Sequence, residues 1–408
     1  LLATKIRYCC SLELSWSFKF LMVDEMMLKW PFFDDSHRDL HARVHEWASR
    51  ELHSLISHDE RQIDADCIKV VSAMGESGLL ENAVNQNLDE SSLDVRSLCL
   101  IREVLGSHEP LADFAFAMQG LGSGPISLFG TTEQREKFLP DVVRGRSLAA
   151  FALSEPDAGS DVRAMTTHAE EHANHFVING TKTWISNAGL ADFYTVFTKT
   201  GDINDSKNIS CFVVEANNPG LKLIERIDLI APHPLGTIGF VDCRVPRSQM
   251  IGSTGSGLSI AMATLDTFRT TVAAAALGMA RRAMHESAER VRTRDIYGGK
   301  LQDLQLVQGK IADMALEIDA SALLIYRSAW TKDCLEQRVT REAAMAKLFA
   351  TEAAQRVVDS AVQLHGGLGV TKGHIVERLY RDVRALRIYE GASEVQKTII
   401  SRKTLESV

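Results

Sequence analysis

Phe176-Val177-Ile178-Asn179-Gly180-Thr181-Lys182-Thr183-Trp184 is the stretch on which the fold turns. Two β-prone runs flank an Asn-Gly pair, which favours the positive backbone angles of a tight turn, so the stretch reads as a β-hairpin. Working outward, Phe193-Tyr194-Thr195-Val196-Phe197 and Cys211-Phe212-Val213-Val214 read as further strands, Asn218-Pro219-Gly220 as a turn, and 237–245 as another strand. The period changes on both sides. Before the strands, Leu40, Val44, Trp47, Leu52, Leu55 and Ile56 recur at three- and four-residue spacing, the stripe of an amphipathic helix. A further helix is expected over Leu111–Met118, ended by the glycine-rich turn Gly120-Leu121-Gly122-Ser123-Gly124-Pro125. After Gly257 the helical period returns, with Ile311, Met314, Ala315, Ile318, Ala322 and Leu323 on one buried face and Ser393-x-x-Gln396 as a capping box opening the last helix.

The expected class is therefore α+β: an N-terminal all-helical domain (35–147), a middle antiparallel β-barrel or sandwich domain (148–255) and a C-terminal helical bundle (256–408), with 1–34 an N-terminal extension outside the fold. The extension lacks the pattern of a secretory peptide, since Lys5, Arg7 and Lys19 interrupt its apolar residues.

Composition narrows the function classes. The chain has 408 residues, 45% of them hydrophobic and 24% charged, the profile of an ordinary globular protein. Lys+Arg 45 against Asp+Glu 53 leaves a net charge of −8, which argues against nucleic acid or an anionic membrane as partner. No apolar run approaches the ~20 residues that cross a bilayer. The seven cysteines are scattered without a C-x-x-C pair, as expected of free thiols in a reducing compartment: the cytoplasm, or alternatively the mitochondrial matrix.

Generic signatures are missing. The chain has no P-loop, no H-E-x-x-H and no G-x-S-x-G, and Gly120-x-Gly122-x-Gly124 has the wrong spacing for a dinucleotide fingerprint. His37, His41 and His45 fall four apart on one helix face, but no cysteine or second cluster accompanies them, so a solvated face is expected and no metal site. His168, His172 and His175 are expected in a surface loop.

Four segments carry chemistry. The first, 151–161, sets small and hydroxyl residues around Gly159, either to bring backbone N–H groups to a ligand or as a structural turn. Trp184-Ile185-Ser186-Asn187 offers an indole to a planar cofactor, or a core tryptophan. Gln363-Leu364-His365-Gly366-Gly367-Leu368-Gly369 ends a helix in a glycine-rich break. Tyr389-Glu390-Gly391-Ala392-Ser393 sets a carboxylate ahead of a helix, where it either complements the helix N-terminus or serves as a general base if burial raises its pKa.

In their order and spacing, SEPDAGSD at 154–161, WISNAG at 184–189, R-x-x-Y-G at 294–298, QLHGGLG at 363–369 and YEGASEVQ at 389–396 resemble the acyl-CoA dehydrogenase family of flavoproteins, over nearly the whole chain from 36 to 405. The resemblance implies FAD as cofactor, an acyl-CoA substrate desaturated between its α and β carbons, electrons passed to an electron-transfer flavoprotein, and a homotetramer built as a dimer of dimers. Glu390 matches the base that takes the α-proton while the β-hydrogen leaves as hydride to the flavin. Some relatives carry the base one residue before the arginine that corresponds to Arg269; here that residue is Phe268, which leaves Glu390. A developing enolate needs donors at its carbonyl oxygen, which the family supplies from the backbone N–H of the glutamate and a flavin hydroxyl.

By the same resemblance Phe151, Leu153 and Ser154 lie near the isoalloxazine, with Trp184 and Ser186 on its other side and Ala392 and Glu394 beside the cofactor. Arg294, Tyr297, Gln305, Gln363 and Gly367 match the set that reaches the FAD of a neighbouring subunit; Ser160, Asp266, Arg269, Tyr389 and Gly391 match substrate-binding positions. Readings that keep the fold with other chemistry are an oxygen-using acyl-CoA oxidase, a flavin monooxygenase-like enzyme and a non-catalytic paralogue.

The chain departs from the family pattern in places. Ile230-Ala231-Pro232-His233-Pro234-Leu235-Gly236 replaces the usual K-x-G-x-x-x-S stretch, Tyr297 stands where phenylalanine is common, and Gly299 where lysine is common. From Glu103 to Gln134, where relatives build the acyl pocket, there is no Lys or Arg, while Phe114, Phe116 and Met118 are apolar. A second substrate carboxylate would lack a counter-charge there, so an apolar monoacyl group is expected.

Overall fold

The computed structural model describes residues 24–85, 93–201 and 208–406. Six helices come first: α1 (Asp24–Met27), α2 (Asp35–Leu55), α3 (Ile63–Glu76), α4 (Val95–His108), α5 (Pro110–Phe129) and α6 (Thr132–Val143). The stripe on α2 does what its spacing requires: Leu40, Val44, Trp47 and Leu52 are buried, with Ile56 just beyond the helix end.

Three expectations change in this layer. The extension enters the fold at its end: Met27 and Phe33 are buried among the C-terminal helices, Phe33 edge-on to Tyr326 with ring centroids 4.7 Å apart. His37 does not lie on a solvated face; it is buried, and its ring bridges Asp34 (2.7 Å) and Asp94 (2.9 Å). The glycine-rich turn does not exist, because α5 runs straight through Gly120–Pro125. Its glycines are there for close approach. A Cβ on Gly120 would meet the Phe268 ring at 2.6 Å, and one on Gly122 would meet the Ala149 carbonyl carbon at 2.7 Å. The helix is thereby pressed between the C-terminal domain and the first strand.

The strands are β1 (Ala149–Ala152), β2 (His168–Glu171), β3 (His175–Ser186), β4 (Phe193–Thr200), β5 (Ile209–Glu215), β6 (Leu221–Arg226), β7 (Leu235–Pro246) and β8 (Met250–Ile251). They form one open sheet in the order β6-β7-β3-β2-β4-β5-β8, with β1 joined to β4. It does not close into a barrel, and it is mixed rather than wholly antiparallel, since β1 and β2 both run parallel to β4.

The Asn-Gly pair is not a hairpin turn. Residues 175–186 are one continuous strand, and the true hairpin lies between β2 and β3, with His168 and His175 inside the strands rather than in a loop. Pairing steps from Ile178↔Cys243 to Gly180↔Phe240, so β7 carries an extra residue opposite the pair. Asp242 takes up that bulge in a left-handed conformation (φ 47°), and its N–H donates to Asn179 Oδ1 at 2.8 Å. Gly180 itself has φ 144°, and a Cβ there would stand 2.5 Å from Thr167 Oγ1 and 2.7 Å from Thr167 Cα. Gly180→Ala is therefore expected to cost about 1–3 kcal/mol, through overpacking and strain. A urea titration checks this, and an unchanged midpoint would contradict it.

A second irregularity bears on the site. Between Lys182↔Ile238 and Ile185↔Gly236 the extra residue falls on β3, and Trp184 sits in it at φ 59°. Bulges re-aim side chains, and this one leaves the indole 57% exposed.

The C-terminal domain comprises α7 (Gly257–Thr293), a short ribbon of β9 (Asp295–Ile296) and β10 (Gly299–Lys300), then α8 (Gln305–Leu335), α9 (Thr340–His365), α10 (Ile375–Leu386) and α11 (Ser393–Leu405). On α8 the expected face is narrower than its sequence pattern, with Met314, Ile318 and Ala322 buried and Leu323 half exposed. No capping box opens α11: its N-cap is Ala392, Ser393 Oγ donates to Glu352 Oε1 (2.6 Å), and the Gln396 amide turns back to the preceding loop. Among the described residues no helix is long and apolar enough to cross a membrane.

Candidate active site

Glu390 lies in the loop between α10 and α11, in a left-handed conformation (φ 52°) followed by Gly391 at φ 93°. Its Oε2 is sealed from solvent and meets no hydrogen-bond donor among the described residues. Burial pushes the Glu390 pKa above the ordinary carboxylate range, while the charges of Arg102, Lys347 and Arg269 oppose the shift. A buried polar atom normally finds a partner, so an orphaned carboxylate oxygen with a raised pKa marks a group reserved for a proton.

The residues around it come from four helices. On α4 and α5, Arg102 grips Asp113 through two parallel hydrogen bonds (Nε–Oδ1 2.7 Å, Nη2–Oδ2 2.8 Å), and Arg102 Nη1 donates to Thr271 Oγ1 on α7 at 2.9 Å. Both members of the pair are buried. On α7, Arg269 Nη1 donates to Asp266 Oδ1 at 2.6 Å, and Thr340 Oγ1 to Asp266 Oδ2 at 3.1 Å. On α9, Lys347 Nζ reaches the carbonyl of Gly391 at 2.8 Å.

Sequence reading missed two of the cations. Arg102 stands one position before the Glu103–Gln134 window, which holds no Lys or Arg, and its charge acts on both Glu390 and Tyr389. Its charge is spoken for by Asp113. Lys347 had a visible signal, being the sole charged residue in Ala343-Ala344-Met345-Ala346-Lys347-Leu348-Phe349-Ala350.

The expected flavin side is built on the sheet. Phe151 on β1 is half-buried against Phe197 (centroids 4.8 Å), and Leu153 is buried. The carbonyl of Leu153 accepts from Lys182 Nζ (2.9 Å), and that of Ser154 from Thr183 N (3.0 Å), which ties this segment to β3 just before the Trp184 bulge. Lys182 also pairs with Glu155 at 2.8 Å. Burial opposes ionisation of Glu155, but the Lys182 charge holds its pKa down at about 2, and burial draws Lys182 down to about 8. Trp184 is not a core tryptophan, since it faces solvent; Ser186 is half-buried and pairs with Leu235.

The departing segment 230–236 joins the two sides. His233 lies on Phe114 of α5 (centroids 4.3 Å), burial pushes its pKa down to about 4, and Pro234 accepts from Asn187 N at 3.0 Å. His233 and Phe114 share a small cavity of about 40 Å³ with Asp113, Asp382 and Tyr389. Phe116, by contrast, belongs to the core.

Asp266 also lines a larger cavity of about 590 Å³ between the sheet domain and the helices, together with Met262, Arg163, Lys332 and Arg338. Ser160 is exposed and does not line it; Arg163, three residues on, does.

Arg294, Tyr297, Gln305, Gln363 and Gly367 are not brought to Glu390 within one chain. All five are exposed, at the ends of α7, α8 and α9. Exposed apolar side chains accompany them: Tyr297 91%, Leu306 87% and Val370 72%. Glu394 is exposed as well, while Ala392 and Gly391 are half-buried in the Glu390 loop. No group of three or more His, Cys, Asp or Glu side chains able to hold a metal occurs among the described residues.

Known proteins match this arrangement along its length. Family models match in sequence order: "Acyl-CoA dehydrogenase, N-terminal domain" over residues 34–146, "Acyl-CoA dehydrogenase, middle domain" over 150–243 and "Acyl-CoA dehydrogenase, C-terminal domain" over 255–405. The mitochondrial short-chain specific acyl-CoA dehydrogenase of Mus musculus is 35% identical over 376 residues, 91% of each chain. The caffeyl-CoA reductase-Etf complex subunit CarC of Acetobacterium woodii is 32% identical over 383 residues, 92% of this chain and 100% of that one. The solved structure of butyryl-CoA dehydrogenase from Megasphaera elsdenii superposes with a TM-score of 0.85 at 32% identity, covering 91% of this chain and 99% of its own. Matched in all three domains, in their order and in three-dimensional shape, the chain belongs to the acyl-CoA dehydrogenase family of FAD-dependent oxidoreductases.

Proposed function

We propose that the chain desaturates an apolar monoacyl-CoA thioester between its α and β carbons, with Glu390 as the base, and hands the electrons to an electron-transfer flavoprotein. The observation that carries this reading is the solvent-sealed, unpartnered Oε2 of Glu390. FAD, when bound, supplies the hydride acceptor. The chain's own residues do the rest. Glu390 removes the α-proton, and the dry surroundings that raise its pKa also raise its basicity. Trp184, Ser186, Phe151, Leu153 and Ser154 fit a planar ring system, because an exposed indole on a bulge and a backbone pinned by Lys182 offer a flat, rigid wall. Asp266, which accepts a hydrogen bond from Arg269, borders the larger cavity, whose Arg163, Lys332 and Arg338 suit a phosphorylated carrier such as coenzyme A.

The acyl end is apolar by a different route from the one the sequence offered. Arg102 is no free counter-charge, since Asp113 neutralises it. The small cavity beside Tyr389 already holds Asp113 and Asp382, the latter raised to about 7 by burial and by Glu109. A second substrate carboxylate would find no free counter-charge there, beside two further carboxyl groups. An anaerobic screen of acyl-CoA thioesters for flavin bleaching tests this: monoacyl thioesters are expected to bleach, and bleaching by dicarboxylic ones alone would contradict it. Rapid peroxide formation in air without an added acceptor would contradict the flavoprotein acceptor.

The exposed set at Arg294, Tyr297, Gln305, Gln363 and Gly367, with its apolar neighbours, fits a face covered by a second subunit, as in a homotetramer whose FAD sites are shared. Arg294→Ala is expected to lower the flavin content of purified protein and to loosen assembly, read by the ratio of flavin to protein absorbance and by size-exclusion chromatography. A full flavin complement in that variant would count against a shared site. A reducing compartment, the cytoplasm, fits the unpaired, buried Cys67, Cys99, Cys211 and Cys243.

A further inference from the structure

We propose that Lys347 and Gln396 are positioning residues for the base: together they grip the carbonyl oxygens of Glu390 and Gly391 and fix the direction in which the Glu390 carboxylate enters the site. The inference rests on Glu390 acting as the base. Lys347 on α9 is fully buried, and its partner is a carbonyl oxygen rather than a carboxylate: Nζ donates to Gly391 O at 2.8 Å. Burying an ammonium without a close counter-ion is costly, so its place against one loop carbonyl calls for a reason. Gln396, also fully buried in the first turn of α11, donates from Nε2 to the same oxygen at 2.8 Å and to Glu390 O at 3.3 Å. Gly391 O therefore receives two donors from two helices.

The grip holds a conformation that the loop would otherwise leave. A glutamate in the left-handed region costs about 1–3 kcal/mol and persists only where its surroundings impose it. Glycine is required next, both for φ 93° and because a Cβ on Gly391 would stand 2.5 Å from Gln396 Nε2. The two donors are not equivalent. Gln396 is neutral and acts by geometry alone. Lys347 adds a charge, which favours ionised Glu390 alongside Arg102 and Arg269 and against Asp113. Burial in turn draws Lys347 down to about 8, with Glu390 and Glu352 opposing that shift and Arg269 and Arg387 adding to it.

The test compares flavin-loaded wild type, Lys347→Met, Lys347→Gln and Gln396→Met for the limiting rate and half-saturating acyl-CoA concentration of anaerobic flavin bleaching across the neutral pH range. Both methionine variants are expected to lose about tenfold or more in limiting rate, with half-saturation little changed, because the base is misaimed while the substrate still binds. Lys347→Met should also move the acidic limb of the rate profile upward by about one pH unit, since removing a nearby cation raises a carboxylate pKa. Lys347→Gln, which keeps a donor without the charge, should recover rate at high pH yet keep the displaced limb. Hydrogen exchange of the 389–393 amides in the flavin-free chain gives a readout apart from turnover, and it should quicken in both methionine variants. Wild-type limiting rates, an unmoved limb or unchanged exchange in those variants would overturn the proposal. Glu390→Gln in the same series keeps the two ideas apart: if it bleaches normally the base assignment falls, whereas if it does not, the clamp stands or falls on the Lys347 and Gln396 variants.

Discussion

Glu390→Gln is expected to retain FAD and to lose substrate-driven bleaching by about 10²–10⁴-fold, the usual contribution of a positioned general base. The substitution is nearly isosteric and leaves the loop carbonyls in the grip of Lys347 and Gln396, so the loss would fall on proton abstraction rather than folding. Stopped-flow absorbance under anaerobic conditions reads it directly, and wild-type bleaching would refute the assignment. The pH dependence follows from the direction of the shift. Only ionised Glu390 accepts a proton, and burial raises its pKa. The wild-type rate should therefore be present above that raised value and fall away as pH drops through it, at a pH higher than an exposed glutamate would give, ~4.3.

The second large effect concerns the buried Arg102–Asp113 pair. Asp113→Ala leaves a guanidinium buried on α4 with, among the described residues, only Thr271 Oγ1 as a hydrogen-bond acceptor. Breaking such a pair from one side costs about 3–5 kcal/mol, whereas replacing both members with apolar groups of similar volume is often close to neutral. The expected result is a marked fall in urea midpoint for Asp113→Ala and a much smaller one for Arg102→Met combined with Asp113→Leu. Equal stability of Asp113→Ala and wild type would contradict the account. Because Arg102 also faces Glu390, the double variant should shift the acidic limb upward even where stability is kept.

The block order of helices, strands and helices was legible because hydrophobic period survives tertiary context. Leu40, Val44, Trp47 and Leu52 show it, and so does the alternation of Phe176 and Ile178. The glycine signals that misled did so for one shared reason: glycine serves close approach as readily as it serves turns. Gly180 is glycine because Thr167 lies against it, and Gly120 and Gly122 because Phe268 and Ala149 lie against α5. None of these three neighbours adjoins its glycine in sequence, so none is visible there. The site divides the same way. Glu390 and Trp184 sit in segments whose composition marks them. Arg102, Lys347 and Gln396 act through partners on other elements, and only the fold brings them to the loop. The bulge that exposes Trp184 likewise depends on the register with β7 rather than on its own residues.

The central claim is that the Glu390 carboxylate faces the α-carbon of an acyl thioester. Its most direct test is the rate of anaerobic flavin bleaching by a monoacyl-CoA that the flavin-loaded protein accepts, with hydrogen or with deuterium at the α-carbon. The account predicts slower bleaching of the α-deuterated thioester in wild type, because Glu390 breaks that bond, and only residual bleaching in Glu390→Gln. Bleaching indifferent to α-deuteration and undiminished in Glu390→Gln would contradict it.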